Sequence, residues 1–255
     1  MTWRADLCID EMELEERGFT LLPGLAPDTE LADFEHAISE LCGALVKTRS
    51  IERRYADPFV DVMLSDEEYR QYLFPLLRRL QVVERISARV GVWLTSSGFL
   101  DRNGFRVPLI WPAVRADLPN ETKYQLPFHQ DVISTISAKA WRIWLPMRRV
   151  DRHHGSMEVV AGSHRLGRLP TVDGSGVETQ IDEAATPEHR RVCIEAAAGD
   201  GVLFHPDIIH RSVLNRSDRV KFVILIQIQD AAELYGPRNS PARNGRLSAS
   251  RGTVD

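Results

Sequence analysis

Two histidines and one acid carry the first chemical signal in this chain. Leu126–Thr135 reads LPFHQDVIST, with His129 and Asp131 one residue apart among apolar and β-branched neighbours. On an extended segment residues i and i+2 project from the same side, so an imidazole and a carboxylate can face one point in space. A mononuclear iron(II) oxygenase site needs two imidazoles and one carboxylate on one face of the metal, with positions left open for cosubstrate and O₂. Alone, a His-x-Asp pair is a weak signal, because most histidines are ordinary core or surface residues. The third ligand must come from a distant strand, and the candidates are His205 and His210, both on or beside apolar β-rich sequence. Ser212, Asn215 and Ser217 follow His210, then Arg219 and Lys221 open a long apolar strand. A cation directed into a β-barrel is costly unless an anion meets it. A dicarboxylate cosubstrate bound beside the metal would be such an anion.

The elements that must position these residues can be read coarsely. Phe19–Leu22 reads as a short strand closed by Pro23-Gly24. Asp28 is placed to cap a helix whose apolar positions Leu31, Phe34, Ile38 and Leu41 recur at helical spacing, with Glu30, Asp33, Glu35 and Glu40 as a solvated face. Ser65-Asp66-Glu67-Glu68 has the form of a capping box and predicts a helix start, with a break or kink at Pro75. A further helical pattern runs through Leu76, Leu80, Val83, Ile86 and Val90, with Arg85 and Arg89 directed outward. After Gly91 short β-rich runs take over: VWLT, VPLIW, KYQLPF, AWRIWLPM, MEVVA, RVCIEAA, GVLFH and KFVILIQIQ. That succession predicts a sandwich or barrel. The polar segment 166–191 is long for a hairpin and could cover a site. From Gly236 the chain is polar and rich in Gly, Ser, Pro and Arg, the composition of a flexible tail.

Composition narrows the function classes. The chain has 255 residues, 43% hydrophobic and 27% charged, with a formal net charge of −4. That length favours one domain with a sizeable core, and the charge gives no reason to expect nucleic acid or an anionic membrane as partner. Cys8, Cys42 and Cys193 are scattered, which argues against a disulfide framework or zinc knuckle and fits a reducing compartment. The N-terminus lacks an apolar signal region and no apolar run is long enough to span a bilayer. The expected location is cytoplasmic.

Residues from about 14 to 230 resemble the phytanoyl-CoA dioxygenase family of iron(II)/2-oxoglutarate oxygenases. The carrying elements are ERGFTLLPGL, FHQD, WLPM followed by HHGSMEVVAGSHRLG, and GDGVLFHPDIIHRSVLNRSDR. Gly155, Gly162-Ser163-His164, Gly199-Asp200, His210, Ser212 and Asn215 fall in the family's order. The resemblance implies a β-rich mixed fold: a double-stranded β-helix (a jelly-roll or cupin-like barrel, core about 91–230) with flanking N-terminal helices, in one oxygenase domain over 1–235. It implies Fe(II) bound by His129, Asp131 and His210, 2-oxoglutarate as cosubstrate and O₂ as oxidant. His205 then precedes the distal ligand without binding iron, and His164 has a structural role in its turn.

One departure stands out. The family's usual arginine, eleven residues after the distal histidine, is replaced here by Lys221, with Arg219 two residues earlier. Arginine grips a carboxylate with a two-pronged fork, whereas lysine offers a point charge. Lys221 is the expected holder of the far 2-oxoglutarate carboxylate by register, with Arg219 as the alternative. The resemblance further implies Ser212 as a hydrogen-bond partner of the cosubstrate and Trp144 as a wall of its pocket, although plain core packing is an equal reading of Trp144. The implied reaction couples decarboxylation of 2-oxoglutarate to succinate with oxidation of an unactivated carbon. An acid at position 131, where related halogenases have a small residue, implies hydroxylation or a variant such as desaturation. The expected substrate is a small metabolite or natural-product intermediate; Arg102, Arg106, Arg115 and Lys123 lie near the His-x-Asp segment and would favour an anionic or carrier-linked substrate, although solvated surface charge is the plainer reading. Two alternatives remain: a cupin-like metalloenzyme that ignores 2-oxoglutarate, and a non-catalytic binding protein on the same scaffold.

Overall fold

In the computed structural model the described residues are 7–66, 68–131, 134–172 and 180–235. The segment 236–255, read as a tail, and residues 173–179 of the 166–191 insert lie outside them.

The first hundred residues are mainly helical. α1 (Glu11–Arg17) is capped by Asp10, whose carboxylate accepts from the Glu13 amide, and it ends at Gly18 with φ 82°. β1 (Phe19–Leu22) follows as expected. α2 (Asp28–Arg49) starts at Asp28, but its cap residue is Pro27 and no side chain caps it. The acidic face of α2 is not simply solvated. Glu30 is buried and pairs with Arg85 and Arg89, while Glu35 pairs with Arg148. These ion pairs tie α2 to the helix that carries Arg85 and Arg89 and to the segment around Arg148.

α3 (Pro58–Ser65) has no counterpart in the sequence reading; Asp57 caps it and Pro58 opens it. Ser65 therefore ends a helix rather than capping one, and α4 (Tyr69–Leu77) starts four residues later and runs through Pro75. α5 (Gln81–Ser96) takes in Val92–Thr95, which had read as a strand, because Val90, Trp93 and Leu94 continue the buried stripe of Val82, Val83 and Ile86. α6 (Phe99–Arg102) closes the helical part.

The remaining elements are strands: β2 (Pro108–Asp117), β3 (Ala140–Pro146), β4 (Met157–Val160), β5 (Arg191–Cys193), β6 (Gly201–Phe204), β7 (His210–Ser212) and β8 (Lys221–Asp230). They form two antiparallel sheets, β1-β6-β3-β8-β2 and β5-β4-β7. The KYQLPF run forms no strand, and β7 is the strand that the sequence reading had not marked off. This is the expected mixed, jelly-roll-like architecture, made of two facing sheets rather than a closed hydrogen-bonded barrel.

Alternation along the strands divides the interior. Ile143 and Leu145 of β3 and Phe222, Ile224, Ile226 and Ile228 of β8 pack against the helices. Trp144 and Val223, on the opposite face, pack with Met157, Val159 and Phe204 between the sheets. Phe222 anchors the helix side, edge-on to Phe34 and Phe59, with the Arg148 guanidinium 5.0 Å from its ring centre. The Gly-Asp pair opening β6 has a structural role: Asp200 accepts from the amides of Gly24 and Ala197.

Candidate metal centre

His129 and His210 meet between the sheets. Their backbones exchange two hydrogen bonds, His129 N to His210 O (2.9 Å) and His210 N to His129 O (3.0 Å). The Asp131 amide donates to Pro206 O at 3.0 Å. The His-x-Asp segment is thus extended and clamped to the chain around β7. One donor atom from each of His129, Asp131 and His210 lies within 4.8 Å of the others.

The imidazoles are oriented by the backbone. His129 Nδ1 lies 2.8 Å from Pro127 O and His210 Nδ1 lies 3.1 Å from Ile208 O. Each Nδ1 is therefore the protonated nitrogen, which leaves Nε2 with its lone pair for a metal. Burial, with His210 alongside, pushes His129 down to about 4, so its ring is neutral at pH 7 and needs no deprotonation to bind. Burial opposes ionisation of Asp131, yet His210 and Arg142 outweigh it and hold the carboxyl below its ordinary value. Two imidazoles and one carboxylate, converging on one point, fit an iron(II) ion.

The donor cluster opens onto a small cavity of about 70 Å³. Trp144, Ser212 and Lys221 line it, together with Arg115, Met157 and Phe204. Arg219 does not reach it. β8 begins at Lys221, so Arg219 precedes the strand; it is exposed and borders a separate pocket with Arg149 and His154.

Lys221 is buried and already engaged. Its ammonium donates to Gly155 O (2.5 Å) and pairs with Asp117. Asp117 also receives Arg115 Nε at 2.7 Å. The register explains the cluster: in the β2–β8 pair Asp117 lies opposite Lys221 and Arg115 opposite Val223, so the charged side chains share one face of the sheet, and Arg115 and Lys221 line the cavity. Burial alone would raise the Asp117 carboxyl, but Lys221 and Arg115 keep it below the ordinary value. Among the described residues Arg115 and Lys221 share the Asp117 carboxylate, two cations to one anion at the cavity wall. That excess suits an anion.

Arg115, Asp117 and Arg142 were missed by the sequence reading. Arg142 stood in an apolar strand sequence, a placement that itself calls for a buried carboxylate nearby. Arg115 and Asp117 alternate with Val114 and Ala116, a period-2 pattern that puts both charges on one face. Other residues are placed outside the site. His205 Nδ1 accepts from the Asp207 amide, and its ring stands edge-on to Trp141. His164 Nε2 lies 3.1 Å from Glu15 O, securing the end of α1. Asn215 bridges Asp117 O and Arg219 O and so fixes the turn before β8.

Comparison with known proteins agrees with this geometry. The family model described as phytanoyl-CoA dioxygenase matches residues 14–223. Peroxisomal phytanoyl-CoA dioxygenase of Mus musculus is 23% identical over 229 residues, covering 80% of this chain; the match spans 62% of the mouse protein's length. Among solved structures, EvdO2 from Micromonospora carbonacea var. aurantiaca, complexed with 2-oxoglutarate, superposes with TM-score 0.58 at 18% identity, over 89% of this chain and 93% of that one. The α-ketoglutarate-dependent carbocyclase SnoK from nogalamycin biosynthesis gives TM-score 0.56 at 19% identity, over 95% and 91%. The epimerase SnoN, in complex with Fe³⁺, α-ketoglutarate and nogalamycin RO, gives 0.53 at 20%, over 96% and 90%. Among the described residues no helix is long and apolar enough to cross a membrane. With the family model matching from α1 into β8, across all three candidate ligands, the chain belongs to the phytanoyl-CoA dioxygenase family of iron(II)/2-oxoglutarate-dependent oxygenases.

Proposed function

We propose that this protein, through a single domain over 1–235, oxidises an unactivated carbon of a small metabolite or natural-product intermediate, hydroxylation being the default outcome. The observation that carries the reading is the His129–Asp131–His210 donor set opening onto a cavity where, among the described residues, Arg115 and Lys221 share the single Asp117 carboxylate. Bound iron(II) would supply the O₂ chemistry coupled to decarboxylation of 2-oxoglutarate. The chain's own part is to orient three ligands, receive the dianionic cosubstrate and enclose the reacting carbon. In this proposal Lys221 and Arg115 meet the far carboxylate, Ser212 hydrogen-bonds the cosubstrate and Trp144 walls its pocket. The small-molecule assignment is supported by the fold shared with enzymes of nogalamycin biosynthesis.

The test is succinate release from 2-oxoglutarate under air with Fe(II) and a panel of candidate substrates, beside 2-oxoglutarate affinity in variants. Lys221→Met is expected to weaken 2-oxoglutarate binding at least ~10-fold, about 1.4 kcal/mol, and Arg219→Ala to leave it unchanged. Indifference to Lys221→Met and Arg115→Gln alike, with metal still bound, would favour a cupin-like metalloenzyme independent of 2-oxoglutarate. The engagement of Lys221 with Asp117 is the observation behind that second reading.

A further inference from the structure

Arg142 is among the largest fully buried side chains of the protein, 1% exposed, and it points into the space between the sheets on the same face of β3 as Trp144. Its surroundings are specific. Nε donates to Asp131 Oδ2 at 3.3 Å, and Nη2 donates to Thr135 Oγ1 at 2.8 Å and Ser134 Oγ at 3.1 Å. Thr135 Oγ1 in turn donates to the Asp131 carbonyl. The two oxygens of Asp131 are thereby divided. Oδ1 lies 3.9 Å from His129 Nε2, on the imidazole side, while Oδ2 is turned to the guanidinium.

We infer that Arg142 is a positioning residue for the metal-binding carboxylate, confining Asp131 to coordination through Oδ1 alone. A carboxylate in a metal site can bind through one oxygen or both. If both oxygens of Asp131 coordinated, one position of a six-coordinate metal otherwise open to cosubstrate or O₂ would be taken. A guanidinium fixed by two hydroxyls, with a charge-assisted bond to Oδ2, disfavours that swing. This inference rests on the proposed metal centre.

Mn(II) is a suitable probe, because water-proton relaxation counts the exchangeable waters on the bound ion. Arg142→Met is expected to lose one bound water relative to wild type as Asp131 closes onto the metal with both oxygens. Arg142→Lys, which keeps the charge, is expected to retain the wild-type number. Thr135→Val, which loosens the guanidinium without removing it, is expected to fall between them, and it keeps the test decisive should Arg142→Met fail to fold. A merely structural arginine would lower the melting temperature of the variants and leave the water number untouched. The same number in wild type, Thr135→Val and whichever Arg142 variants fold overturns the inference. Failure of wild type to bind Mn(II), or binding that survives His129→Ala, would instead refute the metal centre itself.

Discussion

At the residue scale, His129 and Asp131 form a weak signal alone, and it was the family resemblance, carried by the residues after His210, that singled out the trio whose donor atoms the fold brings within 4.8 Å of one another. The anion-facing wall was legible only in part. Lys221 could be found by its distance from His210, but Arg115 read as a surface charge because nothing local to β2 shows that it pairs with β8, more than a hundred residues later. The Arg115–Asp117–Lys221 cluster yields a stability prediction. Removing one partner of a buried ion pair costs about 3–5 kcal/mol, and since Arg115 stays on Asp117 the lower end applies. Lys221→Met should therefore lower the unfolding free energy by about 3 kcal/mol in urea melts. The pH sign follows from Asp117. Its folded value is depressed, so its stabilisation is fully present above the ordinary carboxylate range and lost as pH falls through the folded value. Lys221→Met should flatten that acid limb; an unchanged limb would mean that Lys221 does not hold Asp117 ionised.

At the scale of elements, the helical pattern through Val83, Ile86 and Val90 was found, but the β-branched end of that helix was not. Val92–Thr95 has strand-like composition, but Val90, Trp93 and Leu94 fit the buried stripe of α5, and tertiary packing overrides local propensity. The Ser65–Glu68 pattern misled because a cap motif says nothing of the helix ending on the same residue. Between β3 and β4 lies a turn on which the cosubstrate wall depends. Gly155 has φ 77°, and a Cβ there would sit 2.7 Å from Asn215 Cβ; its carbonyl is the one that receives Lys221. Gly155→Ala should cost about 1–2 kcal/mol from the left-handed backbone alone, with the steric contact adding to it. Because the turn must move, 2-oxoglutarate affinity should fall along with stability. A variant as stable as wild type, measured by thermal melting, would show that the turn is not constrained in this way.

At the scale of the whole molecule, the helices back the larger sheet and the chemistry lies between the two sheets. A single strand, β8, serves both compartments: Phe222 faces the helices while Lys221 and Val223 face the site. Phe222→Ala should therefore cost about 3–5 kcal/mol, read from chemical denaturation, while leaving the metal ligands in place. The β-rich jelly-roll class was readable from the succession of short strands together with the resemblance. The pairing order was not, since β1 joins β6 across nearly the whole sequence and such contacts leave no local pattern.

The central claim is that His129, Asp131 and His210 bind iron(II) beside a pocket for 2-oxoglutarate, and it is most directly tested by anaerobic titration of the apoprotein. Adding Fe(II) and then 2-oxoglutarate should develop a weak visible metal-to-ligand charge-transfer band that saturates at one equivalent of each, and His210→Ala should abolish it. Absence of the band in wild-type protein, or its persistence in His210→Ala, would contradict the account.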